Sequence, residues 1–306
     1  MRFISAFTAP AVSLVLAGCV SVAAQQQLLD STPVTQAGTD NGSCSVEHIV
    51  HNAPHGVGAG RPGLDPDSIS VLNWNIYKGL REDWATDFRR YILKHDIVTI
   101  QEARLGDDLL RMLDREHRYW ALNSAFQYRD RGTGVLTAAS VRPLYSCGQR
   151  TTEPLIQLPK TSLVSVYPIE GLDENLLVAN IHGINFTPGV DAYREQIEEL
   201  YFEMKDHGGP VVLAGDFNTW SEERMQIVDD LARLLALESL DYTNHNRTTL
   251  FGRALDHVFY RGLEPVEHAT WQVTSSDHNP TRVRFRVSGR APAPGRLAAM
   301  VLHEDS

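Results

Sequence analysis

The chain of 306 residues carries only three cysteines, no Walker-type glycine loop and a surplus of acid over base. Three cysteines are too few for a disulfide-built scaffold. Without a G-x-x-x-x-G-K-[ST] stretch, P-loop nucleotide chemistry is excluded. A formal charge of −10 argues against broad, nonspecific binding of polyanions, though it leaves room for a local basic groove. No internal sequence repeat is found, and the longest N-terminal apolar stretch, Phe3 to Leu16, is too short to span a bilayer with ease. An apolar share of 42% is ample for a sizeable core.

The N-terminus reads as a targeting segment. Met1-Arg2 is a short positive region, and Leu16-Ala17-Gly18-Cys19 closes the apolar stretch in the pattern of a bacterial lipobox. Residues 1–18 are therefore expected to be a lipoprotein signal peptide, with Cys19 acylated. Val20 in place of an aspartate leans toward the outer membrane, on its periplasmic side. That leaves Cys44 and Cys147, for which a disulfide and two buried thiols both fit. Residues 19–67 are rich in Gln, Ser, Thr, Gly and Pro without periodicity, which predicts a tether lifting the body from the membrane. His48, His51 and His55 in this stretch read as solvated linker residues.

Beyond the tether, apolar strands end repeatedly on chemistry-capable side chains. Ile69 to Ile76 ends near Asn75, and Ile97 to Glu102 ends on a carboxylate where a buried strand should end on something bland. Leu176 to His182 ends on a histidine. Val211 to Ala214 breaks at Gly215 and delivers Asp216 and Asn218. Leu255 to Tyr260 carries Asp256, and Asp277 with His278 precede Asn279-Pro280 and the alternating strand Thr281 to Val287. Further strands are expected at Tyr119 to Ser124, Gly134 to Thr137, Ser162 to Tyr167 and Ala269 to Val273. Helices are expected at Glu82 to His95, Asp107 to His117, Asp191 to His207 and Glu222 to Leu237, the last capped by Ser221. Strands outnumber helices and often follow one another directly. That pattern predicts an α+β type of α/β fold with two packed, mostly antiparallel sheets and helices outside, not a doubly wound parallel sheet. Taken singly, each polar residue has a bland reading as a turn, a cap or a surface charge. Their shared placement at strand ends points to one site.

The pieces WNIYKG, IQEAR, NIH, GDFN, LDHVFY and SDHNP, in this order over about Ser68 to Ser288, resemble the endonuclease/exonuclease/phosphatase superfamily with its DNase I-like fold. The wording of WNIYK, NIH, AGDFN, FYRG and SDHNP is similar to a YafD-like bacterial branch. The resemblance implies a four-layer sandwich over 68–288, followed by a disordered tail, 289–306. It further implies Mg²⁺, or Mn²⁺, held by Glu102 with Asn75 and with Asp277 at the metal's edge or at a second metal. His278, held by Asp256, would act on the attacking water or on the phosphate. Asp216 would orient or deprotonate that water, Asn218 would donate to a phosphate oxygen, and His182 would contact phosphate or act as an acid.

Fold and metal site do not select the substrate. Arg81, Arg129, Arg131, Arg142, Arg150, Arg253 and Arg261 could line a groove for nucleic acid, and a nuclease-type phosphodiesterase acting as a monomer is the first expectation. Lys78, Asn185 and Arg253 are second-tier candidates for substrate contact. A lipid phosphodiesterase needs an exposed apolar hairpin, and the obvious candidate, Val141 to Lys160, reads as polar with prolines. A phosphomonoesterase would want more lysines than Lys78 and Lys160. A noncatalytic binding lipoprotein is discouraged by the complete polar set.

Overall fold

A computed structural model describes residues 20–31, 44, 62–242 and 246–289. Residues 1–18, expected to be a signal peptide, Cys19, His48, His51, His55 and residues 290–306 lie outside the described residues. The chain runs β1 (Val20–Ser21), β2 (Gln27–Asp30), β3 (Ile69–Asn75), a 3-10 turn (Tyr77–Gly79), α1 (Trp84–Ile92), β4 (Ile97–Arg104), α2 (Asp107–Arg115), β5 (Tyr119–Tyr128) and β6 (Arg131–Ala139). It continues through β7 (Tyr145–Thr152), β8 (Pro159–Pro168), β9 (Asn175–His182), α3 (Asp191–Met204), β10 (Val211–Asp216) and α4 (Glu222–Leu234). The end is β11 (Glu238–Ser239), β12 (Thr249–Leu250), β13 (Arg253–Ala254), β14 (Asp256–Arg261), β15 (Leu263–Thr270) and β16 (Thr281–Val287).

Two sheets result. One has the order β1-β5-β6-β4-β3-β16-β15, with β2 also on β5; the other has the order β11-β14-β10-β9-β8-β7. Pairing is mostly antiparallel, as the strand succession predicts. The exceptions are β3 with β4 and β9 with β10, which run parallel near the middle of each sheet. These two parallel pairs bring the carboxyl ends of four strands to the same end of the sandwich.

The alternation of side chains along each strand builds the layers. Ile69 and Val71 point inward to meet Val178, Val212 and Val258 of the other sheet, while Leu72 and Trp74 point outward onto Phe88 and Leu113 of α1 and α2. On the far side Leu213 and Phe259 pack beneath Leu200 of α3 and Val228 of α4. The α4 start is capped as expected, Ser221 accepting from the Arg224 N–H. Helices stop two to three residues earlier than the periodicity predicts, at Ile92, Arg115, Met204 and Leu234. Strands β5 and β6 run longer, and residues 271–273 form loop because β15 ends at Thr270.

One expectation is corrected. The stretch after Cys19 is not a free tether: Val20 and Ser21 pair with Tyr128 and Gln127, and Gln27 to Asp30 pair with Ser124 to Ala121. Arg150 donates to the Ala23 carbonyl at 2.8 Å, and Gln26 donates to the Gly148 carbonyl at 2.6 Å. Backbone pairing on a sheet edge needs no hydrophobic alternation, so periodicity gave no warning. Cys44 and Cys147 form a disulfide, Cα–Cα 4.9 Å, across 103 residues of sequence. Cys147 is buried in the layer beneath α3, so the bridge ties the N-terminal segment to the core.

Two stability predictions follow from this packing. Closing so long a loop restricts the unfolded chain, so Cys44→Ser should cost about 2–4 kcal/mol in urea unfolding, and a reductant should reproduce the loss in the parent but not in the variant. Glu203, on α3, is buried, and burial, helped by Glu199, pushes its carboxyl up to about 8 against weaker hydrogen bonds from Gln149 and Ser162. Between its ordinary value of 4.5 and about 8 the folded protein holds a proton that the unfolded chain has released. Stability therefore falls as pH rises through that window. Glu203→Gln should gain on the parent by a few kcal/mol between pH 5 and pH 8, and a pH-independent difference would contradict this.

Candidate active site

The strand ends converge as the sequence predicts. Asn75 ends β3, and its neighbour in register on β4 is Gln101, which places Glu102 beside it. At Glu102 the ladder with β6 is interrupted between Ile100 and Ala103, and Glu102 takes a φ of 51°. A bulge of this kind re-aims a side chain that a regular strand would point into the sheet. Asn218 has a φ of 52°, and Tyr77 and Lys78 are also left-handed at 49° and 59°. Strained backbone thus gathers around the site.

Contacts connect the residues into one network. Asn75 Nδ2 donates to Asp216 Oδ2 at 3.1 Å, joining the two sheets. Asn218 donates from its backbone N–H to Asp216 Oδ1 at 3.1 Å and from its amide to the Gly183 carbonyl at 2.9 Å. One of the amide's two hydrogens is therefore committed to the loop, and the second is left for a substrate oxygen. His278 bridges two carboxylates, Nδ1 lying 2.9 Å from Asp256 Oδ2 and Nε2 3.6 Å from Asp216 Oδ2. Trp74 Nε1 donates to the His278 carbonyl at 2.8 Å, and Ser276 Oγ to the Asn75 carbonyl at 2.6 Å, so the SDH loop is fastened to β3. Asp277, next along, is exposed at the rim.

Charge is distributed unevenly over this network. Burial opposes a charge on His278, but Asp256 and Asp216 outweigh it and hold the imidazole protonated well above its ordinary range. Burial, with Asp256 adding to it, raises the Asp216 carboxyl. His182 goes the other way: burial first, then Lys160, keep it neutral. Lys160 Nζ lies 2.8 Å from His182 Nε2, so the ammonium donates to that ring nitrogen. The 3.5 Å separation between His182 Nε2 and Asp216 Oδ2 is then no ion pair, because the imidazole carries no charge. Lys160 itself is lowered by burial, with Glu102, Glu153 and Asp216 pulling the other way.

Glu102 is ion-paired to Lys78. An ammonium beside this carboxylate stands where a cation would sit, and the carboxylate and amide oxygens of Glu102, Asn75 and Asp277 are hard donors that suit Mg²⁺ or Mn²⁺. Asp216, Asp256 and His278 also offer ligand atoms within 4.8 Å of one another. There the imidazolium already balances the two carboxylates and engages both, so this trio reads better as a proton relay than as a metal cage.

The second-tier residues separate. Lys78 belongs to the site through Glu102, whereas Arg253 pairs with exposed Glu222 at 3.4 Å and lies at the surface. Asn185 Oδ1 accepts from Trp220 Nε1 at 3.0 Å and so serves the loop. His257 sits on the opposite face of β14 from Asp256, as strand alternation predicts, against Phe217 and Phe259. Two contributors, Arg224 and Glu153, had no clear signal, and a third, Lys160, entered only beside Lys78 as a lysine for a phosphomonoesterase. Lys160 was only a lysine at the end of a hairpin, although a lone lysine opening a buried strand is unusual enough to mark it. Arg224 is buried on α4 between the rings of Tyr193 and Trp220, 4.5 and 4.4 Å away, and donates to the carbonyls of Ile184, Asn185 and Asn218. Buried Glu153 accepts from the Asn185 and Phe186 N–H groups at 2.5 and 3.3 Å. Arg224 and Glu153 together hold the loop that follows His182.

Two sheets between helices, with a carboxylate–histidine relay, amides and a cation-ready carboxylate at one end, define a phosphoester hydrolase of the DNase I-like class. The endonuclease/exonuclease/phosphatase family model matches residues 72–278, and the chain belongs to that family, hence to the hydrolases of phosphoester bonds. Its relatives include a UPF0294 protein of Yersinia enterocolitica, 36% identical over 245 residues that make up 79% of this chain and 94% of that one. Another UPF0294 protein, from Klebsiella pneumoniae, is 37% identical over 227 residues, 74% and 85% of the two chains. These are the YafD-like proteins that the sequence resembles. Among solved structures, the fold is shared with ANGEL2, a 2′,3′-cyclic phosphatase, at a TM-score of 0.58, 15% identity and coverage of 74% and 97%. It is shared too with the human Nocturnin catalytic domain, at a TM-score of 0.56, 17% identity and the same coverage.

Lys160 is the neighbour whose charge most depresses His182 after burial. Lys160→Met should therefore raise the His182 pKa, read from its imidazole signals in an NMR titration. An unmoved titration would mean that no cation stands beside that ring.

Proposed function

We propose that this chain is a divalent-cation-dependent phosphodiester hydrolase attached to the cell envelope through Cys19. The observation that carries the reading is the single network from Glu102 and Asn75 through Asp216 to His278 and Asp256 at one end of both sheets. Glu102 and Asn75, with Asp277 at the rim, are the residues that would hold Mg²⁺ or Mn²⁺. Bound there, the ion supplies neutralisation of phosphate charge and stabilisation of the leaving oxygen.

The chain's own groups divide the remaining work. Asp216, fixed by Asn75 and by the Asn218 N–H, is the acceptor placed to orient the attacking water and take its proton. His278, kept cationic by Asp256, donates from Nε2 to a non-bridging phosphate oxygen, and the second Asn218 amide hydrogen adds a further donor. Lys160 brings a positive charge next to neutral His182, a pair suited to the charge that develops on phosphate as the bond breaks.

Of the seven arginines expected to serve a nucleic acid, four are engaged elsewhere, while Arg81, Arg129 and Arg142 lie over the rings of Tyr77, Tyr128 and Tyr119. Arg131 pairs with Asp107, Arg253 with Glu222, and Arg150 and Arg261 donate to backbone carbonyls. The hairpin read as polar, β7–β8, exposes Leu155 and Ile156 at its tip. A phosphodiester at a lipid surface is therefore the better-supported substrate.

Hydrolysis of bis-p-nitrophenyl phosphate should need Mg²⁺ or Mn²⁺ and stop in EDTA. Glu102→Gln should lower turnover by about 10²-fold or more without lowering the thermal midpoint, whereas His278→Ala should lower turnover as much and also lower the midpoint, because it leaves Asp216 and Asp256 facing each other. Activity that persists in EDTA would remove the cation from the reaction, and full activity in His278→Ala would remove the relay.

A further inference from the structure

We propose that the end of the sandwich bearing the candidate site is a membrane-docking face, laid against a phospholipid bilayer so that head-group phosphodiesters enter the site directly. This rests on the phosphodiesterase reading above and on Leu16 to Cys19 as an acylation signal.

The first support is strand register. Val20, the residue after Cys19, is paired with Tyr128 at the end of β5. The β5–β6 hairpin returns through Thr133 and Gly134, which pair with Arg104 and Ala103 beside Glu102. A lipid on Cys19 would therefore leave the body at the same end as the site. The following segment is fastened by Arg150 and Gln26, so little slack remains for the body to turn over. Among the described residues no helix is long and apolar enough to cross a membrane.

Several exposed apolar side chains lie at this same end, while others such as Leu93, Phe202 and Leu234 stand singly near the helix ends. Leu155 is 62% and Ile156 45% exposed at the β7–β8 tip, Phe186 is 53% exposed after β9, and Phe251 is 80% exposed at the β12–β13 tip. They form one rim: Glu153 accepts from the Phe186 N–H, Trp220 donates to Asn185, and the rings of Trp220 and Phe251 are 6.3 Å apart. Across the mouth, Tyr77 and Leu80 are also exposed. Isolated exposed apolar residues need no explanation, but a ring of them around a polar pocket marks an interaction surface.

A bilayer fits this rim better than a nucleic acid or a protein. The acylated residue next to Val20 would bring the bilayer to this end whether or not anything else binds there. Arg81 lies over the Tyr77 ring at 5.6 Å and Arg129 over the Tyr128 ring at 5.3 Å. Aromatic–cation pairs beside apolar tips match the head-group layer above the acyl chains. In the reaction, water forms a new P–O bond, the P–O bond to the leaving alcohol breaks, and that alcohol departs with a proton.

A chain starting at Val20 retains every described contact and lacks the lipid, so its binding reports the rim alone. It should cosediment with vesicles of phosphatidylethanolamine and phosphatidylglycerol and hydrolyse their head groups in Mg²⁺. The triple variant Leu155→Ser, Ile156→Ser, Phe251→Ser should bind vesicles about tenfold or more weakly, with circular dichroism and bis-p-nitrophenyl phosphate turnover unchanged. Failure of the parent chain to sediment, or equal sedimentation of the variant, would overturn the docking face. Vesicle binding with cleavage of added DNA and none of lipid would overturn the lipid substrate. Vesicle binding with no hydrolysis of any phosphodiester would sink the phosphodiesterase reading while leaving the docking face standing.

Discussion

The contact between Asn75 and Asp216 is where the two sheets become one active site. Each sheet supplies one partner from the carboxyl end of a parallel strand pair, and the 3.1 Å bond fixes how far one sheet has slid against the other. A second bridge lies one layer deeper, where Gln101 donates to Asn180 Oδ1 at 2.7 Å and Asn180 donates to the Leu136 carbonyl at 2.9 Å. Buried amides of this kind are expensive unless paired. Paired through the Gln101 and Asn180 NH2 groups, with Gln101 Oε1 alone left without a partner, they penalise any sliding or rotation of the sheets, which a purely aliphatic interface would tolerate. The strand ends above inherit that register.

Held this way, the site keeps opposite charges close without collapse. Asp216 and Asp256 are both buried, and His278 lies between them. Removing the imidazole would leave two carboxylates facing each other in a low dielectric, so its charge is as structural as it is chemical. On the other side Lys160 and Lys78 answer Glu102, and His182 stays neutral because a cation is already beside it. Left-handed backbone at Glu102 and Asn218 is tolerated because Arg224 and the bulge in β4 hold the surrounding loops. Strain is stored where the side chains must point out of their strands.

Much of the polar set was legible in the sequence for one physical reason. A buried strand is a run of apolar residues, so a carboxylate or histidine at its end breaks the run visibly, as at Glu102, His182 and Asp216. Which of these would touch was not legible, since the parallel pairs join residues 26 and more positions apart and only the fold sets that register. Arg224 and Glu153 escaped because their partners are backbone carbonyls and backbone N–H groups, and the place of Lys160 against His182 stayed hidden because that ring is on another strand. The strands after Cys19 escaped because an edge strand earns its place through the backbone. The β7–β8 hairpin misled because composition averages over a loop, whereas exposure is decided residue by residue: Pro154 and Gln157 flank the tip, yet Leu155 and Ile156 are what it presents.

The disulfide and the N-terminal strands bear on the same question of orientation. A flexible linker would let an anchored domain sample many attitudes, and its effective concentration at the surface would be shared among them. Here six of the first twelve described residues are paired with β5, Arg150 holds the turn between them, and Cys44 is bonded to Cys147 on β7. Val20, the first described residue, is therefore fixed to the body. On the proposed acylation of Cys19, a lipid would leave beside Tyr128, at the same end as the apolar tips, and few attitudes would bury the tips without also turning the site toward the head groups. If the proposed docking holds, a long polyanion would have to slide between that rim and the bilayer, which makes it the poorer match.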